Sequence, residues 1–166
     1  MQDFYWEPGW LPVVEEQERL LQYDRFTHET AFELGLLIKK EVERRACGSA
    51  AIRIVEDGAV VFAYKMPGTS LENDWWMDRK LNVSRLTGTS SVRAYLEAKS
   101  GLRRPFWQER PDNYAACGGC FPIFLRDGGP VYAYALVSGL HHQEDHQVIA
   151  DAMAGQLGVR IRSIAE

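Results

Sequence analysis

The residues with the most obvious chemical potential lie between Ser138 and His146, where the sequence reads SGLHHQEDH. An apolar run ends at Ser138 and a helical pattern follows, so the unpaired N–H groups of the first helical turn should face the same region. Helical spacing places His146 on the face of Ile149 and Met153, which directs its imidazole inward. Two interpretations stay open. His146 either pins the strand–helix corner while Asp145 favours the helix dipole, or it contacts a ligand and acts in acid–base chemistry.

A nucleophilic triad at this corner is not favoured. Asp145 and His146 are neighbours on one helix and point about 100° apart, which is poor geometry for a carboxylate that must orient the imidazole. Ser138 also lacks the sharp G-x-S-x-G turn of hydrolases. The sequence therefore does not indicate a serine hydrolase.

The motif Cys117-x-x-Cys120 has the spacing of half a zinc site or of a redox pair. A zinc site would need further ligands from the nearby histidines, and a redox pair normally begins a helix, whereas here a strand follows. We interpret the two cysteines as small side chains beside a glycine turn and predict no metal site.

A second group of residues could bind an anion. Arg79 and Lys80 lie on a predicted helix that is apolar nearly all round, so they need acidic partners or an anionic ligand. Ser90 and Ser91 follow this helix, and Gly118-Gly119 carries no Cβ atom to keep a ligand or another backbone away. Structural pairing and an anion pocket both stay open as interpretations.

These observations predict one recess between the Arg79-Lys80 helix, the Gly118-Gly119 turn and the corner from Ser138 to His146. Its expected ligand is a small anionic or aromatic molecule, and His146 is the best catalytic candidate. The predicted ligand-binding residues are Arg79, Lys80, Ser90, Ser91, Gly118, Gly119, Phe121, Ser138, Gly139, Asp145 and His146.

Composition narrows the class of protein. The chain has 166 residues, a formal net charge of −4 and 46% hydrophobic residues, which are values typical of one globular domain with a core at about 14–157. An acidic chain without a strong basic cluster is not expected to bind nucleic acid. No run approaches the length of a membrane helix, the first ten residues do not resemble a secretory signal, and three cysteines fit a reducing cytosol. We expect a cytoplasmic protein.

Apolar periodicity predicts helices over 11–23, 27–46, 74–85, 91–99 and 144–157, with Thr27 and Asn73 as N-caps. Strands are predicted over 51–55, 59–66, 120–125 and 131–137, with Asp57-Gly58 as a hairpin turn, and a β-like tail over 159–164. The long irregular stretch 102–119 is rich in aromatic residues, which favours packing over disorder. Two hairpins covered by helices indicate an α/β (α+β) sandwich with a central antiparallel sheet.

Three stretches together resemble a known family. They are the segment from Asn73 to Val83 with Ser90-Ser91, the segment from Gly118 to Ile123, and the segment Val137 to Leu140 with Asp145-His146. These blocks are similar to the uncharacterised branch of the GlcG/PduO-like, haem-degrading-domain family.

The resemblance implies a profilin-like fold and a homo-oligomer, and some relatives in the wider family bind haem or iron. The chain differs from the family pattern at Cys117, where His is usual, and at His141, where Pro is usual. A shared fold does not by itself imply a shared haem or metal site, least of all where residues of the pattern differ. Haem is therefore implied by the resemblance only.

Three functions follow as hypotheses. The first is a homo-oligomeric domain that binds a small molecule in the predicted recess. The second is an adaptor that presents exposed apolar stripes, such as Phe32 and Leu36, to partner proteins. The third is an enzyme that uses His146 as a general base while Arg79 or Lys80 holds an oxyanion.

Overall fold

Two hairpins build the central sheet, as the sequence predicts. The computed structural model describes residues 3–165. In the first hairpin, β2 (Ala51–Glu56) and β3 (Ala59–Lys65) are joined by Asp57 and Gly58, whose φ angles of 48° and 81° are the positive values that a tight hairpin turn requires. In the second, β4 (Cys120–Leu125) runs antiparallel to β5 (Ala133–Ser138), and β5 also pairs antiparallel with β2.

A short outer strand that the sequence does not predict completes the sheet. The first helix, α1 (Trp10–Leu20), ends three residues before the predicted end at residue 23. The next residues form β1 (Gln22–Tyr23), which pairs parallel with β4 and gives the order β1-β4-β5-β2-β3. Two residues are too few for a strand to show its period of two in the sequence. Only the partner strand reveals it.

Helices cover both faces of the sheet, which confirms the α/β class. Because side chains alternate across a strand, β2 sends Ile52 and Ile54 toward α2 (His28–Arg45) and α5 (His142–Leu157). It sends Ala51 and Val55 toward α3 (Leu71–Thr87) on the opposite face. The sheet is therefore the middle of three layers, and the carboxyl end of β5 lies between α3 and α5.

The start of α3 differs from the prediction in a way that matters for the site. The helix begins three residues earlier than residue 74, and Ser70 is its N-cap in place of Asn73. The Asn73 side chain instead accepts a hydrogen bond from the Ser70 N–H, and its Nδ2 donates to the Ser138 carbonyl at 3.1 Å. Asn73 thus ties the first turn of α3 to the end of β5. Only one face of α3 is buried, and Trp75 is 45% exposed.

The remaining segments pack against the edges of these layers. Ser90 caps α4 (Ser91–Lys99), and the irregular stretch that follows contains a short 3₁₀ helix, Phe106–Glu109. Its Trp107 is buried against α4, as its aromatic content predicts. The predicted β-like tail forms no strand within the described residues, although Ile164 packs on α1. Within residues 3–165, no helix is both long and apolar enough to cross a membrane.

Candidate functional site

The three segments that were predicted to share a recess meet at the end of β5. Lys80 of α3 donates to the Val137 carbonyl oxygen at 2.9 Å and forms an ion pair with Asp145 of α5, Nζ to Oδ2, at 3.1 Å. The other oxygen of Asp145 accepts the Leu140 N–H at 2.9 Å. One buried ion pair therefore joins α3, β5 and the first turn of α5.

This ion pair is almost fully removed from water. Lys80 is 2% exposed and Asp145 is 3% exposed. Burial raises the pKa of Asp145 to about 6, although the charge of Lys80 and the backbone N–H donors act in the opposite direction. Such a pair adds little net stability over apolar residues, but losing one partner leaves an uncompensated charge in the core. Its first role is to fix the corner.

The glycine turn makes close contact with the chain itself. A Cβ atom on Gly118 would lie 1.9 Å from the His142 carbonyl oxygen, and one on Gly119 would lie 2.4 Å from the Val137 carbonyl oxygen. Gly119 also has a φ of 128°, which L side chains rarely adopt. The missing side chains are needed for backbone to approach backbone. Of the two alternatives that the sequence left open for these glycines, a ligand or another backbone, the structure shows the close approach of backbone.

The two predicted serines hold neighbouring turns. Ser91 Oγ donates to the Cys117 carbonyl oxygen at 2.5 Å and accepts from the Cys120 N–H at 3.1 Å, so it clamps the glycine turn. Ser90 Oγ caps α4 and contacts a Glu18 carboxylate oxygen at 3.2 Å. Both serines are buried, and neither lines either of the two pockets described below, so the anion contact stays a prediction.

His146 is packed more deeply than its predicted role allows. Gln17 donates its amide hydrogens to Gln147 Oε1 and to the Arg162 carbonyl oxygen, so Gln17 Oε1 is the acceptor that faces His146 Nε2 at 2.7 Å. His146 Nε2 therefore carries the hydrogen. The ring stacks on Phe121 with centroids 5.4 Å apart.

Full burial lowers the pKa of His146 to about 3 and keeps the imidazole neutral at physiological pH. Neither His146 nor Phe121 lines either of the two pockets described below. The structure supports the pinning interpretation of His146 and argues against its role as a ligand contact or general base. Sequence reasoning could not identify Gln17 as its partner, because α1 lies far away along the chain.

A polar pocket of about 280 Å³ opens beside the ion pair. Of the predicted residues, Lys80, Ser138, Gly139 and Asp145 line it. Its remaining walls are Phe4, Glu72, Asn73, Trp76, Cys117, Leu140 and His142.

His142 closes one side of the polar pocket. Its Nδ1 accepts the Gly118 N–H at 3.1 Å, so Nε2 carries the hydrogen and donates to the Tyr5 carbonyl oxygen at 2.6 Å. Burial lowers the pKa of His142 to about 4. Both ring nitrogens are therefore occupied by backbone groups, and the ring joins the glycine turn to the N-terminal segment.

A larger aromatic pocket, about 420 Å³ in volume, lies next to the polar one. Arg79 is the only predicted site residue that lines it. Its walls come from α3, α4, the 102–119 stretch and the N-terminus, and Asp3 and Lys99 belong to them. Five of the fourteen lining residues are aromatic: Phe4, Trp76, Tyr95, Trp107 and Tyr114. Aromatic walls with a few charged groups are typical of small-molecule sites.

Arg79 is the distinctive group of the aromatic pocket. Its guanidinium carbon lies 4.1 Å from the centroid of the Trp75 ring and 4.6 Å from that of Trp76, and its Nε donates to the Pro111 carbonyl oxygen at 2.9 Å. It forms no ion pair with any residue in the range 3–165. Partial burial lowers the pKa of Arg79. The lining carboxylate Asp3 pairs with Lys99, and Asp112 acts on Arg79 only through its charge. Arg79 is therefore a pocket cation without an ion-pair partner among the described residues.

Most of the aromatic wall was missed by reasoning from sequence motifs. Phe4 and Tyr95 belong to segments that carry no motif, and they meet only because the N-terminal segment crosses α4. The available signal was compositional, since aromatic residues are dense in the first ten positions and again over 102–119.

The cysteines show no sign of metal or redox chemistry in the described part of the chain. Cys117 and Cys120 are buried, and burial raises their thiol pKa values to about 11 and about 12. Among residues 3–165, no three histidine, cysteine or acidic side chains are grouped so that they could hold a metal ion.

Comparison with known proteins identifies the family. A family profile described as "Haem degrading protein HbpS-like" matches residues 26–154. Over 157 residues the chain is 37% identical to a UPF0303 protein of Yersinia enterocolitica, a match that covers 93% of this chain and 92% of that protein.

Solved structures agree with this assignment. The Ybr137w protein has a TM-score of 0.75 at 29% identity, covering 87% of this chain and 86% of its own. The PduOC–heme complex has a TM-score of 0.65 at 13% identity, covering 83% and 97%, which shows a shared fold. The resemblance to GlcG/PduO-like proteins and the expected fold class are thereby confirmed. The chain belongs to the HbpS-like family.

Proposed function

We propose that the protein binds a planar, anionic small molecule in its aromatic pocket. The observation that carries this proposal is Arg79, a partly buried guanidinium that stacks on Trp75 and Trp76 and has no ion-pair partner within residues 3–165. Removing a cation from water is costly unless an anion compensates for it. A flat ligand would stack on the aromatic walls while its anionic group pairs with the guanidinium.

Haem is the member of this ligand class that the family suggests. The family description names haem, and the PduOC structure is that of a heme complex. The aromatic walls suit a porphyrin ring, and Arg79 and Lys99 suit its propionates. Among the described residues that line the pocket, none is His, Cys or Met.

Tyrosine is the only remaining side chain in the pocket that commonly ligates haem iron. The Tyr95 hydroxyl already hydrogen-bonds to Asp3 and to the backbone of Phe4, which leaves Tyr114. When bound, haem would supply redox chemistry at its iron. The protein's own contribution would be the stacking walls, the cations and the Tyr114 phenol.

Paired titrations test the proposal. The fluorescent anion anilinonaphthalene sulfonate should bind the wild type, and Arg79→Gln should weaken it about tenfold, the equivalent of about 1.4 kcal/mol. Arg85→Gln, on the exposed side of α3, is the matched control and should bind as the wild type does. Equal affinities for all three proteins would refute the pocket.

A second pair of ligands separates the ring from the iron. Haemin and iron-free protoporphyrin IX should both depend on Arg79. Only haemin should respond to Tyr114→Phe, as a change in its main absorption band. If the sulfonate binds and neither porphyrin does, the pocket still binds planar anions, but haem is not its ligand.

A homo-oligomer is the second part of the proposal. Phe32 and Leu36 on α2 are 52% and 45% exposed, and they adjoin the edge strand β3, where Val60 is also exposed. An apolar surface beside an open sheet edge favours association with a second chain. Light scattering should return a multiple of the 18.9 kDa chain mass, and Phe32→Glu should lower it. A monomeric wild type would refute the oligomer.

The same α2 and β3 surface is the one that an adaptor function would use. If the wild type is a monomer and captures a stoichiometric protein partner through Phe32, the adaptor hypothesis replaces the oligomer. The three free thiols, Cys47, Cys117 and Cys120, fit the reducing cytosol that we propose as the location.

A further inference from the structure

We infer that the aromatic and polar pockets are two compartments of one binding site, and that the N-terminal Asp3-Phe4 pair occupies this site as an internal ligand that the true ligand displaces. The inference rests on the proposed function for the identity of the ligand, but not for the opening of the site. The expected ligand is a planar anion that also carries a carbonyl or carboxylate oxygen at its inner end.

Phe4 is the partition between the two compartments. It lines both pockets, together with Trp76. Its ring lies 4.9 Å from the His142 ring, 5.8 Å from Tyr95 and 6.4 Å from Trp76, measured between centroids. Phe4 and Trp76 are the two shared walls, so removing the Phe4 side chain takes away one of the two groups that separate the pockets.

The N-terminal segment presents the same chemistry as the ligand that the pocket would recognise. Phe4 supplies an aromatic ring to the aromatic walls, and the Asp3 carboxylate pairs with Lys99 at 2.5 Å. Tyr95 holds the pair by accepting the Phe4 N–H at 2.9 Å and donating its single hydrogen to Asp3 or to the Phe4 carbonyl oxygen, each at 2.8 Å. The Phe4 ring and the Asp3 carboxylate therefore occupy the positions that the ring and the anionic group of the ligand would take.

Asp3 and Phe4 lie in a segment without regular secondary structure. Residues 3–7 form no helix or strand, and Asp3 and Tyr5 are exposed. Apart from the contacts to Tyr95 and Lys99, one hydrogen bond from His142 to the Tyr5 carbonyl oxygen holds the segment, and Trp6 anchors it by packing on two core clusters. Because no helix or strand holds Asp3 and Phe4, these two residues can move away without breaking regular structure, while Trp6 keeps the segment attached.

The polar compartment has hydrogen-bond donors left for a ligand. The Lys80 ammonium has three hydrogens, and two are used by the Val137 carbonyl and Asp145 within the described residues. The Ser138 hydroxyl accepts from Asn73 at 3.3 Å and donates to no described residue. Two unused donors at the inner end of the site recognise an acceptor oxygen, which is why the ligand carries a carbonyl or carboxylate there.

The three cysteines provide an internally controlled test of the opening. Cys117 lines the polar compartment, Cys120 is buried outside both pockets, and Cys47 is exposed. Labelling with iodoacetamide and peptide mass spectrometry gives the rate at each thiol. Phe4→Ala should raise the rate at Cys117 about tenfold and leave the rates at Cys47 and Cys120 unchanged. Tyr64→Ala, which removes an exposed ring of β3 that lines neither compartment, is the matched control.

Two outcomes would overturn the inference. An unchanged labelling rate at Cys117 would mean that Phe4 does not shield the polar compartment. An equal rise in the rate at Cys120 would mean that the variant loosens the core instead of opening the site. Asp3→Asn keeps the ring and weakens only its attachment, so it should raise the Cys117 rate by a smaller factor even if Phe4→Ala folds poorly.

Ligand competition separates this inference from the proposed function. Asp3→Asn and Phe4→Ala should bind anilinonaphthalene sulfonate more tightly than the wild type. If Arg79→Gln leaves sulfonate binding unchanged while Phe4→Ala still exposes Cys117, the proposed ligand fails and the internal ligand stands. If Cys117 stays protected in every variant while Arg79→Gln weakens sulfonate binding, the internal ligand fails and the proposed function survives.

Discussion

Arg79 and Lys80 are neighbours in the sequence, yet they belong to two regions of opposite character. Successive residues of a helix point about 100° apart, so Lys80 enters the polar corner while Arg79 faces the aromatic pocket. Lys80 is matched by Asp145 and by a backbone carbonyl. Arg79 is held by two indole rings and one carbonyl, without a matching anion in the described chain. A satisfied cation holds the fold together, and an unsatisfied one is available to a ligand.

The largest effect is expected from breaking the satisfied side of this comparison. Lys80→Met leaves the Asp145 carboxylate buried without its cation, and should lower the free energy of unfolding by about 3–5 kcal/mol. Urea denaturation measures this loss.

The double variant Lys80→Met/Asp145→Asn removes both charges and should recover part of the stability. Lys40→Met, an exposed lysine on α2, is the control. A single-variant loss no larger than that of the control would show that the ion pair does not hold the corner.

The glycine turn provides the next effect. Gly118→Ala places a methyl group 1.9 Å from the His142 carbonyl oxygen, so backbone must move, at an expected cost of about 1–3 kcal/mol. Gly155→Ala in α5 meets no atom within 4 Å and should instead stabilise the helix, by about 1 kcal/mol. Thermal unfolding of both variants checks the contrast. A neutral Gly118→Ala would show that the turn has space for a ligand after all.

Acid should weaken the corner through its buried histidine. The pKa of His146 is about 3 when folded and 6.5 in a model compound, so the unfolded chain binds the proton more readily. The contribution of His146 is therefore full above pH 6.5 and declines as the pH falls toward 3. At pH 5 the loss is about 2 kcal/mol, from 1.36 kcal/mol per pH unit.

The buried carboxyl groups of Asp145 and Glu18 have raised pKa values, so their effect on the unfolding free energy as the pH falls is opposite to that of His146. A variant without a titratable group at position 146 separates the contribution of His146 from theirs. Between pH 7 and pH 5, His146→Gln should lose about 2 kcal/mol less unfolding free energy than the wild type does. His141→Gln, at an exposed position, serves as the control. Parallel pH profiles for wild type and His146→Gln would contradict the buried, neutral imidazole.

The smallest effect on stability is expected at the unsatisfied cation. Arg79→Gln should change the unfolding free energy by less than about 1 kcal/mol, because a partly exposed side chain without an ion pair is lost. Denaturation of this variant beside Lys80→Met compares adjacent positions of one helix. If Arg79→Gln destabilises as strongly as Lys80→Met, the guanidinium is structural and the distinction between the two regions disappears.

The comparison between the two regions also shows which of the predicted site residues lie together in the structure. Ser138, Gly139 and Asp145 line one pocket because a strand end and the helix that follows it must lie close together, and Lys80 joins them from α3 through its ion pair with Asp145. Binding at these residues stays a proposal. His146, Phe121 and the two serines carry the same polar or aromatic groups, but α1 and the glycine turn use them as packing partners. A motif does not show whether its hydrogen bonds are already made inside the molecule.

The sequence by itself determined the layers of this protein. Period-two and helical patterns, the Asp57-Gly58 turn and the Thr27 cap are local features, because each depends on residues a few positions apart. Tertiary structure decided β1, the cap of α3 and the aromatic pocket. Each of these depends on contacts between segments as distant as Phe4 and Tyr95, or Asn73 and Ser138. Such contacts leave no periodic signal, since the geometry that makes them exists only once the sheet and its helices have assembled.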